Sequence, residues 1–364
     1  MNIDTELKKD GISVIEPLDE ASVNTIAKNV SKKIANAFPN FGFSFDSLYY
    51  DFSGLSMYIA DIPEGLAEAS YFYKNSSVYF RDGMGLSDME KFAVHELIHH
   101  LQEVKDEKGK LVRLGLCTFK GSKPFGMALN EAAVQTIAAN VLGSTFENVT
   151  YYDINFSTIS PNCYPIICNL IAQMAYVTGE EVLFDSTLNS NDHFKNKFSA
   201  ICGAETYKKV SIAFDNILKL EENLSKLNSK IQFEDLSTDK TTSLYTKMNN
   251  LKIQIRKIYF ECQELIIKSF FDSIFKSLIN SEEIDGFRKR LYSFQELIGT
   301  ADNYYFFNNY YIEMMEKLDK KFDNITDSSI SSNTYLVARK ESKLLKLFRY
   351  IKHVLLKKEF ENED

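Results

Sequence analysis

The sequence predicts an α+β fold, with short strands and helices mixed in its first half and an almost wholly helical second half. Three observations carry this reading. Between residues 55 and 81, short aromatic and apolar runs of strand length are separated by turn residues. From about residue 160 onward, apolar residues recur at the 3.6-residue period of helices. At 364 residues, the chain is long enough to bury a large core in two lobes. We place a mixed domain over 1–200 and a helical domain over 201–364.

The elements follow in order. Residues 20–38 alternate apolar and polar at helical spacing. Strands are expected at 55–61, 69–73 and 78–81, with Lys74-Asn75-Ser76-Ser77 as a turn. Ser87-Asp88-Met89-Glu90 reads as a capping box that starts a helix running to about Glu103. Residues 105–110 form a solvated loop, 111–119 a strand and 120–125 a Gly/Pro loop. An apolar helix over 127–142 stops at Gly143. Helices are expected at 164–178, 204–229, 241–279, 281–298, 303–322 and 339–360, with a connector at 232–242.

Composition excludes several roles. A net charge of −8 argues against nucleic acid as the main partner. The N-terminal residues hold no apolar run of signal-peptide length, and nowhere do about 18 uncharged apolar residues stand together, so no membrane span is expected. The five cysteines are odd in number and scattered, without a CxxC pair. They fit reduced thiols in the cytoplasm.

The chemistry concentrates in HELIHH, residues 95–100, which holds three of the five histidines. On a helix His95 and His99 are one turn and about 40° apart, so both imidazoles can reach one ion. Glu96 is adjacent to them. This is the HExxH pattern: two nitrogen ligands for Zn2+ and a general base for the water that the ion activates. Between Phe92 and Gln102 the only side chain charged at neutral pH is Glu96, on a helix apolar around most of its circumference. Such a helix is buried, and a buried carboxylate needs compensation. His100 points about 100° away from His99 and reads as a packing or supporting residue rather than a ligand.

A catalytic zinc needs a third protein ligand. The metzincin pattern would need Gly and His where Gln102 and Lys105 stand. Glu131 is the better candidate, as the only ionisable side chain between Lys123 and Glu147, on an apolar helix. Cys117, His193 and His353 remain rivals.

HELIHH followed by Asn130-Glu131-Ala132-Ala133-Val134-Gln135 resembles the gluzincins. These zinc metallopeptidases carry HExxH on one helix and a glutamate ligand, often within NExxxD, on a later one. The resemblance covers about residues 50–180. It implies a zincin-like lobe with a small sheet and an active-site helix, and His95, His99 and Glu131 as zinc ligands. Gln135 stands where the family's aspartate would be, and still can accept from a histidine N–H. The family commonly uses a tyrosine or histidine as oxyanion donor. Of Tyr151, Tyr152, Tyr164 and His193, Tyr164, at a predicted helix start, is our choice. The family also pairs substrate on a strand before the active-site helix, for which 55–61 and 78–81 are candidates.

The function expected is a zinc-dependent peptidase-like hydrolase acting on a peptide or protein, with Glu96 as base and then acid. The alternative is a non-catalytic binding module with a structural or vestigial zinc site. Helix 339–360 carries eight basic residues and one acid over 339–358. It packs on the helical lobe or makes a weak membrane-surface or partner contact.

Overall fold

The computed structural model describes residues 7–8, 11–63, 67–121, 123–234, 237–301 and 306–330. The expected helix 339–360 lies outside the described residues.

The fold is mixed α+β, with small sheets in the first half and helices beyond residue 160. The first sheet contains β1 (Ser13–Pro17), β2 (Ser56–Asp61), β3 (Ala69–Phe72) and β4 (Ser77–Arg81), in the order β1-β2-β4-β3. Here β2 and β4 run parallel, and the outer pairs are antiparallel. Strand β4 is covered on both faces, which is why it reads as an unbroken apolar run. Val78 and Phe80 join the main core, while Tyr79 joins a small cluster with Leu7, Ile12, Ala60 and Ile62.

Helices α1 (Glu20–Ala37) and α2 (Phe45–Ser53) precede β2, and α3 (Leu86–Leu101) follows β4. The HELIHH helix thus forms as expected, but Gly85 is its N-cap and the capping box is not made. The Glu90 carboxylate instead accepts from Asn29 Nδ2 on α1 at 2.8 Å, a tertiary contact that replaces the local one.

A four-stranded antiparallel meander comes next: β5 (Glu103–Lys105), β6 (Leu111–Leu114), β7 (Cys117–Lys120) and β8 (Lys123–Phe125). The single strand expected over 111–119 is therefore a hairpin, broken at Gly115, whose φ is +54°. Helix α4 (Met127–Val141) leads to the hairpin of β9 (Glu147–Tyr151) and β10 (Ile154–Thr158).

The helical part comprises α5 (Pro165–Thr178), α6 (Glu180–Leu188), α7 (His193–Cys202), α8 (Ala204–Phe233), α9 (Thr238–Ser277), α10 (Ser281–Phe294) and α11 (Phe306–Ile330). The apolar core is continuous across residue 200, with Val23 and Leu318 in one cluster. No described helix is long and apolar enough to cross a membrane.

Candidate metal centre

Helix α3 turns its apolar residues Ala93, Val94, Leu97 and Ile98 fully inward. That burial carries Glu96 and His99 in with them, to 8% and 6% exposure. Helix α4, rich in buried alanines, packs against α3. Glu131, one turn into α4, meets both histidines there. His95 Nε2 lies 3.1 Å from His99 Nε2 and 3.3 Å from Glu131 Oε2, and His99 Nε2 lies 3.5 Å from Glu131 Oε1. One ligand atom from each residue falls within 4.8 Å of the others, a group that could hold a metal ion.

Hydrogen bonds fix which histidine nitrogens face inward. Ser160 Oγ donates to the Cys163 carbonyl at 2.6 Å and so accepts from Gln135 Nε2 at 2.9 Å. That turns Gln135 Oε1 toward His95 Nδ1, at 2.8 Å, as an acceptor. In the same way Gln102 Nε2 donates to the Thr187 carbonyl at 3.0 Å, which leaves Gln102 Oε1 to accept from His99 Nδ1 at 3.2 Å. Asn130 completes this buried pair, donating to Gln102 Oε1 at 3.1 Å while accepting the Leu116 N–H at 2.9 Å. Each Nδ1 is therefore a donor, and each Nε2 turns inward toward the carboxylate.

Two inward Nε2 atoms and a carboxylate repel one another unless a positive charge lies among them. The titration behaviour agrees. Burial pulls the His99 imidazole down, but the Glu131 carboxylate more than reverses this and holds it up at about 9. Burial pushes the Glu131 carboxyl up, and the two histidines overcome this and hold it well below the usual range. The donor set, two imidazole nitrogens and one carboxylate, fits zinc.

Glu96 stands apart from the three. Its Oε2 accepts the backbone N–H of Tyr71 at 2.6 Å. Strands 55–61 and 78–81, expected as the peptide-pairing edge, instead have neighbours on both sides as β2 and β4. The edge that reaches α3 is β3, because the chain returns through the turn at 73–76 to add an outer strand. Tyr71 grips α3 and the start of β5, since its phenol also lies 2.9 Å from His100 Nδ1 and donates to Glu103 Oε1 at 2.8 Å. His100 Nε2 pairs with Asp51 at 3.3 Å. His100 is thus outside the metal group and supports β3.

Tyr164 is the N-cap of α5, with φ 52° and ψ 41° immediately before Pro165. This left-handed conformation is costly for a bulky residue that precedes proline. Burial, then the Glu131 and Glu96 carboxylates, push its phenol well above the ordinary value, so its O–H stays protonated. The rival ligands lie elsewhere. Cys117 is buried in the core, its thiol pushed up to about 12 by burial. His193 pairs with Asp185 at 2.9 Å on an exposed surface, and His353 is outside the described residues. Gln102, Ser160 and Tyr71 escaped the sequence reading; only a polar residue closing an apolar run marked Gln102.

No family model, curated protein or solved structure matches the chain.

Proposed function

We propose that the chain is a zinc-dependent hydrolase of gluzincin type, built on a zincin-like lobe and acting on peptides or proteins. The observation that carries this reading is the convergence of His95, His99 and Glu131 beside the separately held carboxylate of Glu96. A zinc ion bound by those three residues would supply a Lewis acid for the scissile carbonyl and acidify a water. Glu96 is the general base that takes the water's proton and then returns it to the leaving amine. With Oε2 held by the Tyr71 N–H, Oε1 is the oxygen available for that transfer. Tyr164, with its protonated phenol, donates to the developing oxyanion. Gln102 and Gln135 keep the ligand imidazoles in their orientation. The cysteines among the described residues form no disulfide, which fits the cytoplasm as the compartment of action.

Metal analysis of purified protein tests the ligands. About one zinc per chain is expected, lost in His99→Ala and Glu131→Ala. Full zinc retention in Glu131→Ala removes that assignment. A peptide-library digest comparing wild type with Glu96→Gln tests the chemistry. Zinc without cleavage over a wide library supports the binding module instead.

A further inference from the structure

Two elements flank the group of His95, His99 and Glu131. Strand β3 meets Glu96 through the Tyr71 N–H, and α4 brings Glu131 to the histidines. The side chains of His95 and Glu131 stay 13% and 17% exposed, so the space between these two walls reaches solvent. Strand β3 runs along α3 in the same sense. Tyr71 is level with Glu96 and His100, while Glu68, just before the strand, shares a cavity with Phe92 and Asp88, one and two turns ahead of Glu96.

The two ends of this space differ. Toward the start of α3, Phe92, Glu68, Met84 and Asp88 line that cavity, of about 320 Å3. Toward the end of α3, the walls are joined. The Tyr73 ring lies 6.0 Å from the Phe119 ring, tilted by 51°. Phe119 belongs to β7, which packs on α4 and leads into it through β8. A pair of aromatic rings thus links the β3 wall to the α4 wall. Tyr73 is two residues beyond Tyr71, roughly 7 Å at strand spacing, so about one or two ligand residues fit between the metal group and the rings.

The free side of β3 also gives a direction. The Glu68 carbonyl is turned to β4, where it accepts the Arg81 N–H at 3.0 Å. By the strand period the main-chain groups of Ala69 and Tyr71 turn outward, and the Tyr71 N–H does reach Glu96. A peptide laid on this edge pairs in the more stable antiparallel sense, which points its amino end at Tyr73 and Phe119.

We propose that the space over the metal group is closed at Tyr73 and Phe119, and that it takes the free amino end of a peptide rather than the middle of a chain. The inference rests on the reading of that centre as a peptide site. It narrows the ligand to a chain end with one or two residues lodged before the rings and the rest leaving past Phe92.

Random hexapeptides attached to a resin by either end test this with zinc-loaded protein carrying Glu96→Gln. Retention is expected to be about tenfold stronger on peptides attached by the carboxyl end, which leave the amino end free. Phe119→Ala removes a half-buried ring and opens the closed end. It is expected to gain retention on peptides attached by the amino end, at unchanged zinc content, and Tyr73→Ala is expected to do the same. Equal retention on the two resins by the protein with both rings intact, whatever its level, overturns the proposal. So does selectivity that survives both ring variants. In a digest by wild type, cuts are expected only after the first or second residue, and internal cuts also overturn it. End-selective retention without any cleavage counts against the hydrolase reading alone.

Discussion

The Asp215 carboxylate of α8 accepts the backbone N–H of Ala128 at 3.1 Å. It thereby caps α4, the helix that carries Glu131, from the helical half of the chain. The N-cap position itself is Gly126, which has no side chain to offer. Asp215→Ala is expected to destabilise the protein by about 1–2 kcal/mol. It is also expected to weaken zinc retention by loosening Glu131. Denaturant unfolding and competition with a chelator measure the two effects, and unchanged values would separate α8 from the metal centre.

Gly115 permits the polar support of His99. A Cβ at this position would overlap Asn130 Oδ1 and Gln102 Nε2, and its φ of +54° is strained for any other residue. Gly115→Ala is expected to break the Gln102–Asn130 pair and cost about 10–100-fold in zinc affinity. Metal titration reads this directly. Gly121→Ala, with nothing within 4 Å of a new Cβ, controls for the left-handed backbone alone.

Tyr71 joins the edge strand to Glu96, the proposed base. Tyr71→Phe keeps the N–H that Glu96 uses but removes the phenol's contacts to Glu103 and His100. Faster amide exchange along β3 is expected, from the loss of about 1–2 kcal/mol of local hydrogen bonding. Zinc content is expected to stay the same. In a cleavage assay kcat is expected to fall with little change in KM, since the base is less well aimed. Exchange equal to wild type would show that the phenol does not hold the strand.

Glu221 makes stability depend on pH. Burial pushes its folded value up to about 7, above the ordinary 4.5. Between those values the unfolded chain has released this proton and the folded one has not, so stability falls as pH rises from 4.5 to 7. Glu221→Gln removes that slope. Above pH 7 the variant is expected to be more stable than wild type by on the order of 2–3 kcal/mol, with the advantage shrinking toward pH 4.5. Thermal melts of both proteins over pH 4–8 check it. Parallel curves would mean that Glu221 titrates normally.

What the sequence by itself determined here is local. The helical period places His95, Glu96 and His99 on one helix, and the apolar run around Glu131 marks a second. A 3.6-residue repeat is written in consecutive side chains, so both helices were legible. Strand boundaries between 111 and 125 were less so, because the hairpin turns on Gly115, whose φ suits the packing of Gln102 against Asn130. Only the tertiary structure decided that α3 and α4 meet at His95, His99 and Glu131. It also made β3 the edge strand, paired Gln102 with Asn130 and set Asp215 on α4 and Glu221 against Tyr152. Such contacts join residues that are 28, 69 or 87 positions apart. They depend on which apolar faces bury against each other, and no short-range pattern carries that information.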